Sequence, residues 1–116
     1  MNIRQAIEKR LLEKIEIDKD LTNKEFAESD YDFEKAHKAF NGEDYKWCIV
    51  KAYYSIFHAA RAVLFKLGLR EKAHYAISVV LEDLNLKGRI ESIYVNDFKA
   101  AMSAREDADY HYSYSK

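Results

Sequence analysis

Proline is absent from this sequence, and only three glycines and one cysteine occur in its 116 residues. Each scarcity excludes something. Proline and glycine are the residues that most often break helices and make tight turns, so their near absence points to an all-α protein. The lone cysteine, Cys48, has no partner for an intramolecular disulfide and founds no metal cluster; its apolar neighbours predict burial. No N-terminal apolar run resembles a secretion signal, and charge interrupts the apolar segments well short of a membrane span. A cytoplasmic protein that does not enter the membrane is the expectation. The net charge of −1 gives no general attraction to nucleic acid. The four histidines, His37, His58, His74 and His111, lie far apart, without the H-E-x-x-H or Cys/His spacing of a zinc site. Gly-rich phosphate loops and a Gly-x-Ser-x-Gly turn are missing too, so neither a metal nor a cofactor is expected.

What the chain does have is a long apolar stretch, Asp44 to Leu67, uninterrupted by glycine or proline. It predicts one helix of about six turns, apolar nearly all round and therefore wrapped by other elements. At about 100° per residue, its exceptions Lys51, Tyr54, Ser55, His58 and Arg61 fall within roughly one third of the circumference. This polar seam is expected to face water, a partner or a ligand, because unpaired buried charge is costly. It would line a groove shared with the last helix. Lys46 to His74 carries a charge of +5, leaving −6 for the remainder. Such a middle either attracts a phosphate-bearing partner or is matched by acidic helices of the same fold.

The flanking segments complete a single domain over 1–116. Asn2 with Gln5 reads as a helix start, with Ile3, Ile7, Leu11, Leu12 and Ile15 on one face. Thr22 with Glu25 reads as a second capping box, opening a helix with Phe26, Phe33, Ala36, Ala39 and Phe40 at helical spacing. Asn41-Gly42 ends that helix and Asp44 caps the central one, predicting an antiparallel hairpin. Gly68 closes the central helix. Arg70 to Lys87 reads as a fourth helix, with Ala73, Ile77, Val80, Leu81 and Leu84 inward. A last helix starts near Asn96, with Phe98, Ala101, Met102, Arg105 and Ala108 along one face. The tail from 110 to 116 reads as a frayed end, an added contact surface or the stump of a longer helix. An up-and-down bundle of four to five helices is the predicted architecture.

Three stretches carry a resemblance. Lys51-Ala-Tyr-Tyr-Ser-Ile-Phe-His-Ala-Ala-Arg-Ala is similar to the signature helix of HEPN domains. It most resembles the small bacterial and archaeal members often encoded beside a minimal nucleotidyltransferase. Lys72-Ala-His74 and Arg105-Glu-Asp-Ala-Asp109-Tyr110 fit the same pattern in the same order, so the resemblance runs from about Tyr31 to Tyr110. It implies a helical bundle that forms a homodimer. Many relatives are metal-independent ribonucleases or toxins, whose motif is an Arg followed after four to six residues by a His, near the dimer axis. Arg105 and His111 have five residues between them. Glu106 stands where active relatives usually carry Asn, Asp or His. Positions six apart lie about 120° from one another on an ideal helix, so a shared site requires the helix to end near Tyr110.

In that reading, His111 moves the proton of a ribose 2′-hydroxyl or of the leaving oxygen. Arg105 clamps the scissile phosphate, and dimerisation brings a second copy of each to the cleft. A plainer reading pairs Arg105 with Asp109 one turn along and leaves His111 in an exposed tail. Three functions follow. The first is a ribonuclease toxin silenced by a partner nucleotidyltransferase acting as antitoxin. The second is a non-catalytic module binding RNA, a nucleotide or that partner through Lys51, Tyr54, Ser55, His58, Arg61, Asp109 and Tyr110. The third is a structural helical dimer.

Overall fold

The computed structural model describes residues 1–110. The elements in chain order are α1 (Ile3–Glu8), β1 (Leu12–Lys14), α2 (Lys19–Asn41), α3 (Tyr45–Lys66), β2 (Leu69–Glu71), α4 (Tyr75–Leu86) and α5 (Ser92–Tyr110). The fold is a helical bundle built around α3, with a two-stranded antiparallel ribbon at one end.

The first helix is shorter than its apolar spacing suggests. Its capping box forms as expected: Asn2 Oδ1 accepts from the Gln5 amide at 2.8 Å, and the Asn2 amide donates to Gln5 Oε1 at 2.9 Å. Arg10 then takes a φ of 60° and ends the helical path. Leu11, Leu12 and Ile15 therefore do not extend a helix face. Instead Leu12 pairs with Glu71, Glu13 with Arg70 and Lys14 with Leu69. The same ribbon corrects the start of α4, which begins at Tyr75 rather than Arg70, because the backbone of 69–71 is engaged by β1. Gly68 makes the junction between α3 and β2 possible. Its φ is 71°, and a Cβ there would lie 3.0 Å from the Ile15 carbonyl oxygen; a side chain is excluded by conformation and by space.

At α2 the predicted cap is also displaced. Asp18 is the N-cap, accepting from the Asp20 amide at 2.9 Å. Thr22 lies inside the helix, buried, with its hydroxyl donating to the Asp18 carbonyl at 3.1 Å. Asp44 caps α3 as expected, accepting from the Trp47 amide. The α2–α3 hairpin is antiparallel, since Phe40 meets Tyr45, Asp32 meets Lys51 and Glu25 meets His58. Of the apolar residues of α2, Ala36 and Ala39 are buried, whereas Phe26, Phe33 and Phe40 are 39%, 57% and 59% exposed. Cys48 is half-buried, and α5 begins at Ser92, a turn earlier than Asn96.

The core gathers Tyr53, Phe57 and Leu64 of α3, Ile77, Val80 and Leu84 of α4, Val95 and Phe98 of α5, and Ala6 and Leu12 from the N-terminal segment. Among the described residues, no helix is long and apolar enough to cross a membrane.

One polar tie secures the N-terminus. The Ile3 amide donates to Asp83 Oδ2 at 2.8 Å, while Lys87 Nζ sits 3.2 Å from Oδ1. The Ile3 amide, outweighing the cost of burial, holds the Asp83 carboxyl below the usual carboxylate range, and Lys87 adds to this. A depressed folded pKa means stabilisation that is present above the unfolded carboxyl value and lost as pH falls through the folded one. Asp83→Asn is expected to cost about 1–3 kcal/mol at neutral pH, a charged hydrogen bond's usual worth. In urea titrations, its deficit against wild type should vanish toward strongly acidic pH; a constant deficit would contradict the assignment.

Candidate functional site

The seam of α3 meets α2 as a ladder of matched charges. Lys51 Nζ lies 3.3 Å from Asp32 Oδ1 and 5.0 Å above the Trp47 ring. Ser55 and Ser29 clasp reciprocally, each hydroxyl donating to the other's carbonyl at 2.9 and 2.7 Å. His58 Nδ1 donates to Glu25 Oε2 at 2.5 Å, and its Nε2 faces Asp32 Oδ2 at 3.7 Å. Arg61 places Nε 2.9 Å from Glu71 Oε2, with Nη2 on the same oxygen, and Nη1 3.7 Å from Glu25. Its guanidinium also covers the Phe57 ring at 4.4 Å.

These carboxylates are buried: the side chains of Glu71, Asp32 and Glu25 are 4%, 7% and 12% exposed. Burying ions is costly unless each is paired, and here the pairing of cations with acids holds α2 and β2 against α3. Glu25, Asp32 and Glu71 are therefore functional parts of the seam that the sequence reading did not single out. A signal existed. Glu25, Ser29 and Asp32 share the face of α2 that also carries buried Ala36 and Ala39.

Tyr54 turns the other way, toward α5. Arg105 Nη2 donates to its hydroxyl at 3.3 Å, and the guanidinium carbon lies 5.4 Å from the Tyr53 ring centre and 5.6 Å from that of Tyr54. Asp109 Oδ2 stands 3.1 Å from Arg105 Nε, an ion pair whose angle is poor for a hydrogen bond, so the buried Nε has no well-formed acceptor. The side chains of Arg105 and Asp109 are 30% and 33% exposed. Arg105 is thus a cation on a two-tyrosine platform, with one face open to solvent.

Tyr53 is the second residue that pattern reading missed, because its apolar surroundings made it look like plain core. It is fully buried, and its hydroxyl has no hydrogen-bond partner. Burial pushes the hydroxyl above its ordinary pKa, with the Arg105 charge pulling it partly back.

The expected site residues thus divide into two groups. Lys51, Ser55, His58 and Arg61 face α2 and β2; Tyr54, Arg105 and Asp109 gather where α3 meets α5. Tyr110 is the last residue of α5, and His111 lies outside the described residues. His37 sits apart on α2, edge-on to Phe33 at 4.6 Å, and His74 precedes α4 with its ring 5.0 Å from Phe57. Among the described residues, no group of three or more His, Cys, Asp or Glu is arranged to hold a metal ion.

No curated protein and no solved structure matches the chain. The family model of the HEPN domain matches residues 23–116. That span contains α2 to α5, and with them the matched-charge hairpin and the tyrosine-bedded arginine. The chain belongs to the HEPN domain family.

Proposed function

We propose that this protein is a metal-independent endoribonuclease, working as a homodimer and silenced by a partner nucleotidyltransferase. The observation that carries the reading is the state of Arg105. Lys51, His58 and Arg61 are each set against a buried carboxylate. Arg105, by contrast, meets a part-exposed Asp109 and two aromatic rings. A guanidinium held in place by stacking, with hydrogen-bond capacity to spare, suits a phosphate that arrives and leaves.

In the proposed reaction, Arg105 binds the non-bridging oxygens of the scissile phosphate. It stabilises the extra negative charge that develops as the ribose 2′-oxygen attacks phosphorus. His111 takes the 2′-hydroxyl proton or returns one to the departing 5′-oxygen. The matched charges of the seam hold α2 on α3 and keep the tyrosine platform in position. Asp109 neutralises Arg105 until substrate phosphate displaces it.

The purified protein, freed of any partner, should cleave single-stranded RNA in EDTA and leave DNA of the same sequence intact, because only RNA carries the attacking hydroxyl. Equal cleavage of both, or cleavage abolished by EDTA, would overturn the mechanism.

A second reading is favoured by the Asp109 contact and by Glu106 beside the clamp. Two carboxylates near Arg105 oppose a phosphate, which suits a module that binds a nucleotide or its nucleotidyltransferase partner without cleaving. An inert protein across a varied RNA pool would select that reading.

A further inference from the structure

The Ser29–Ser55 clasp divides the α2–α3 hairpin into two flanks. Round α2, Ser29 lies between Asp32 on one side and Phe33 on the other; round α3, Ser55 lies between Lys51 and Ala52. The first flank carries the ion pairs. The second is apolar.

On α3 this apolar flank is a single stripe: Tyr45, Ile49, Ala52, Ile56, Ala59 and Val63, spaced alternately by four and three residues, all half-buried or exposed. Tyr54, the residue that meets Arg105, lies diametrically across the helix at about 100° per residue. The flank continues on both sides. Phe40 touches Tyr45, and Phe33 and Phe26 follow at seven-residue steps along α2. On the other side, a cleft of about 360 Å³ is lined by Ile56, Ala59 and Val63 together with Ile90, Tyr94 and Phe98. Tyr94 itself is 58% exposed. Asp97 is the one ionisable side chain with a carboxylate in that cleft. A contiguous apolar face of this kind is unusual on a monomer and marks an interface.

We infer that the occupant is a second copy of this chain, docked α3 to α3, antiparallel, about a two-fold axis. The stripe is its own complement. An antiparallel two-fold that sets Ile56 against Ala52 of the partner subunit also sets Ile49 against Ala59 of the partner subunit, and Tyr45 against Val63 of the partner subunit. The alternation of four and three reads the same in both directions, and each isoleucine faces an alanine. Large-into-small packing of this kind lets two helices approach closely. The face carries few charges, so it favours a copy of itself over a partner that would need charge matching. The arrangement turns both Arg105 sites outward rather than into one shared cleft. It takes from the proposed function only that the chain pairs with itself, and it is tested without RNA, so the nuclease reading stands or falls separately.

Sedimentation velocity of the full chain at about tens of micromolar should show a dimer. Ile56→Glu should convert it to a monomer with helical circular dichroism retained, while Arg105→Glu should leave the dimer intact. In a Cys48→Ser background, oxidising co-refolded Ile49→Cys and Ala59→Cys chains should give a covalent dimer containing one of each; this reads the interface even if Ile56→Glu fails to fold. A monomeric wild type overturns the inference. So does a dimer that Arg105→Glu dissociates and Ile56→Glu does not, or the absence of the mixed cross-link.

Discussion

Arg105→Ala lowers RNA cleavage by about 100- to 1,000-fold, the usual loss when a donor to a developing oxyanion is removed. The fold should survive, because Arg105 gives α5 no buried carboxylate to leave unpaired; its acid partner Asp109 is itself one third exposed. Arg105→Lys should recover little. A lysine keeps the charge but lacks the planar fork and the stacking on Tyr53 and Tyr54 that aim it. His111→Ala should be as inactive as Arg105→Ala, and the double variant little worse than either, since two groups acting in one step are not additive. His37→Ala should cleave as wild type does, because it packs on Phe33 away from Arg105. Initial rates on a labelled RNA, with circular dichroism on each variant, make the measurement. Cleavage that survives both Arg105→Ala and His111→Ala would place the chemistry elsewhere.

The second large effect is on stability. Arg61→Met is expected to destabilise the fold by about 3–5 kcal/mol, the cost of leaving a buried charge without its partner. Arg61 is the only cation within ion-pair reach of Glu71 among the described residues, and Glu71 has its other oxygen, Oε1, buried without a hydrogen bond. The double substitution Arg61→Met with Glu71→Leu should regain most of the loss, since an apolar pair of similar volume removes the uncompensated charge. Urea unfolding at neutral pH decides it, with the midpoint shifted and the slope unchanged. A cost of under about 1 kcal/mol for the single variant would show that water reaches Glu71 and that the pair belongs with ordinary surface ion pairs.

These expectations draw on different layers of the sequence. The helical class, the α2–α3 turn at Gly42 to Asp44 and the Asn2–Gln5 cap were legible because each rests on local backbone chemistry. The β1–β2 ribbon was not. Three-residue strands are too short to show a two-residue period, and Leu11, Leu12 and Ile15 mimic a helix face until Arg10 turns the chain. Asp18 pre-empted Thr22 as a cap because two good capping residues lay within one turn. For the site, the spacing of Lys51, Tyr54, His58 and Arg61 revealed one face, but not what stands opposite. Which acids meet those cations is a long-range fact, set by how α2 folds back and where β2 emerges. Tyr53 was hidden for a related reason, since a tyrosine among apolar residues reveals its hydroxyl's surroundings only when α5 is in place.

The ribbon and the Asp83 tie also bear on the order in which the molecule assembles. The α2–α3 hairpin closes over a short turn, so its loop-closure entropy is small and its contacts can form early. The segment 1–14 has no such advantage. Its anchors, Leu12 on Glu71 and Ile3 on Asp83, join positions far apart in the chain, 80 residues apart for Ile3 and Asp83. It therefore docks after the ends of α3 and α4 exist, and it is the segment whose release least disturbs the matched-charge hairpin. The fold thus contains a late-closing strap on an early-forming frame, and the Arg105 platform belongs to the frame.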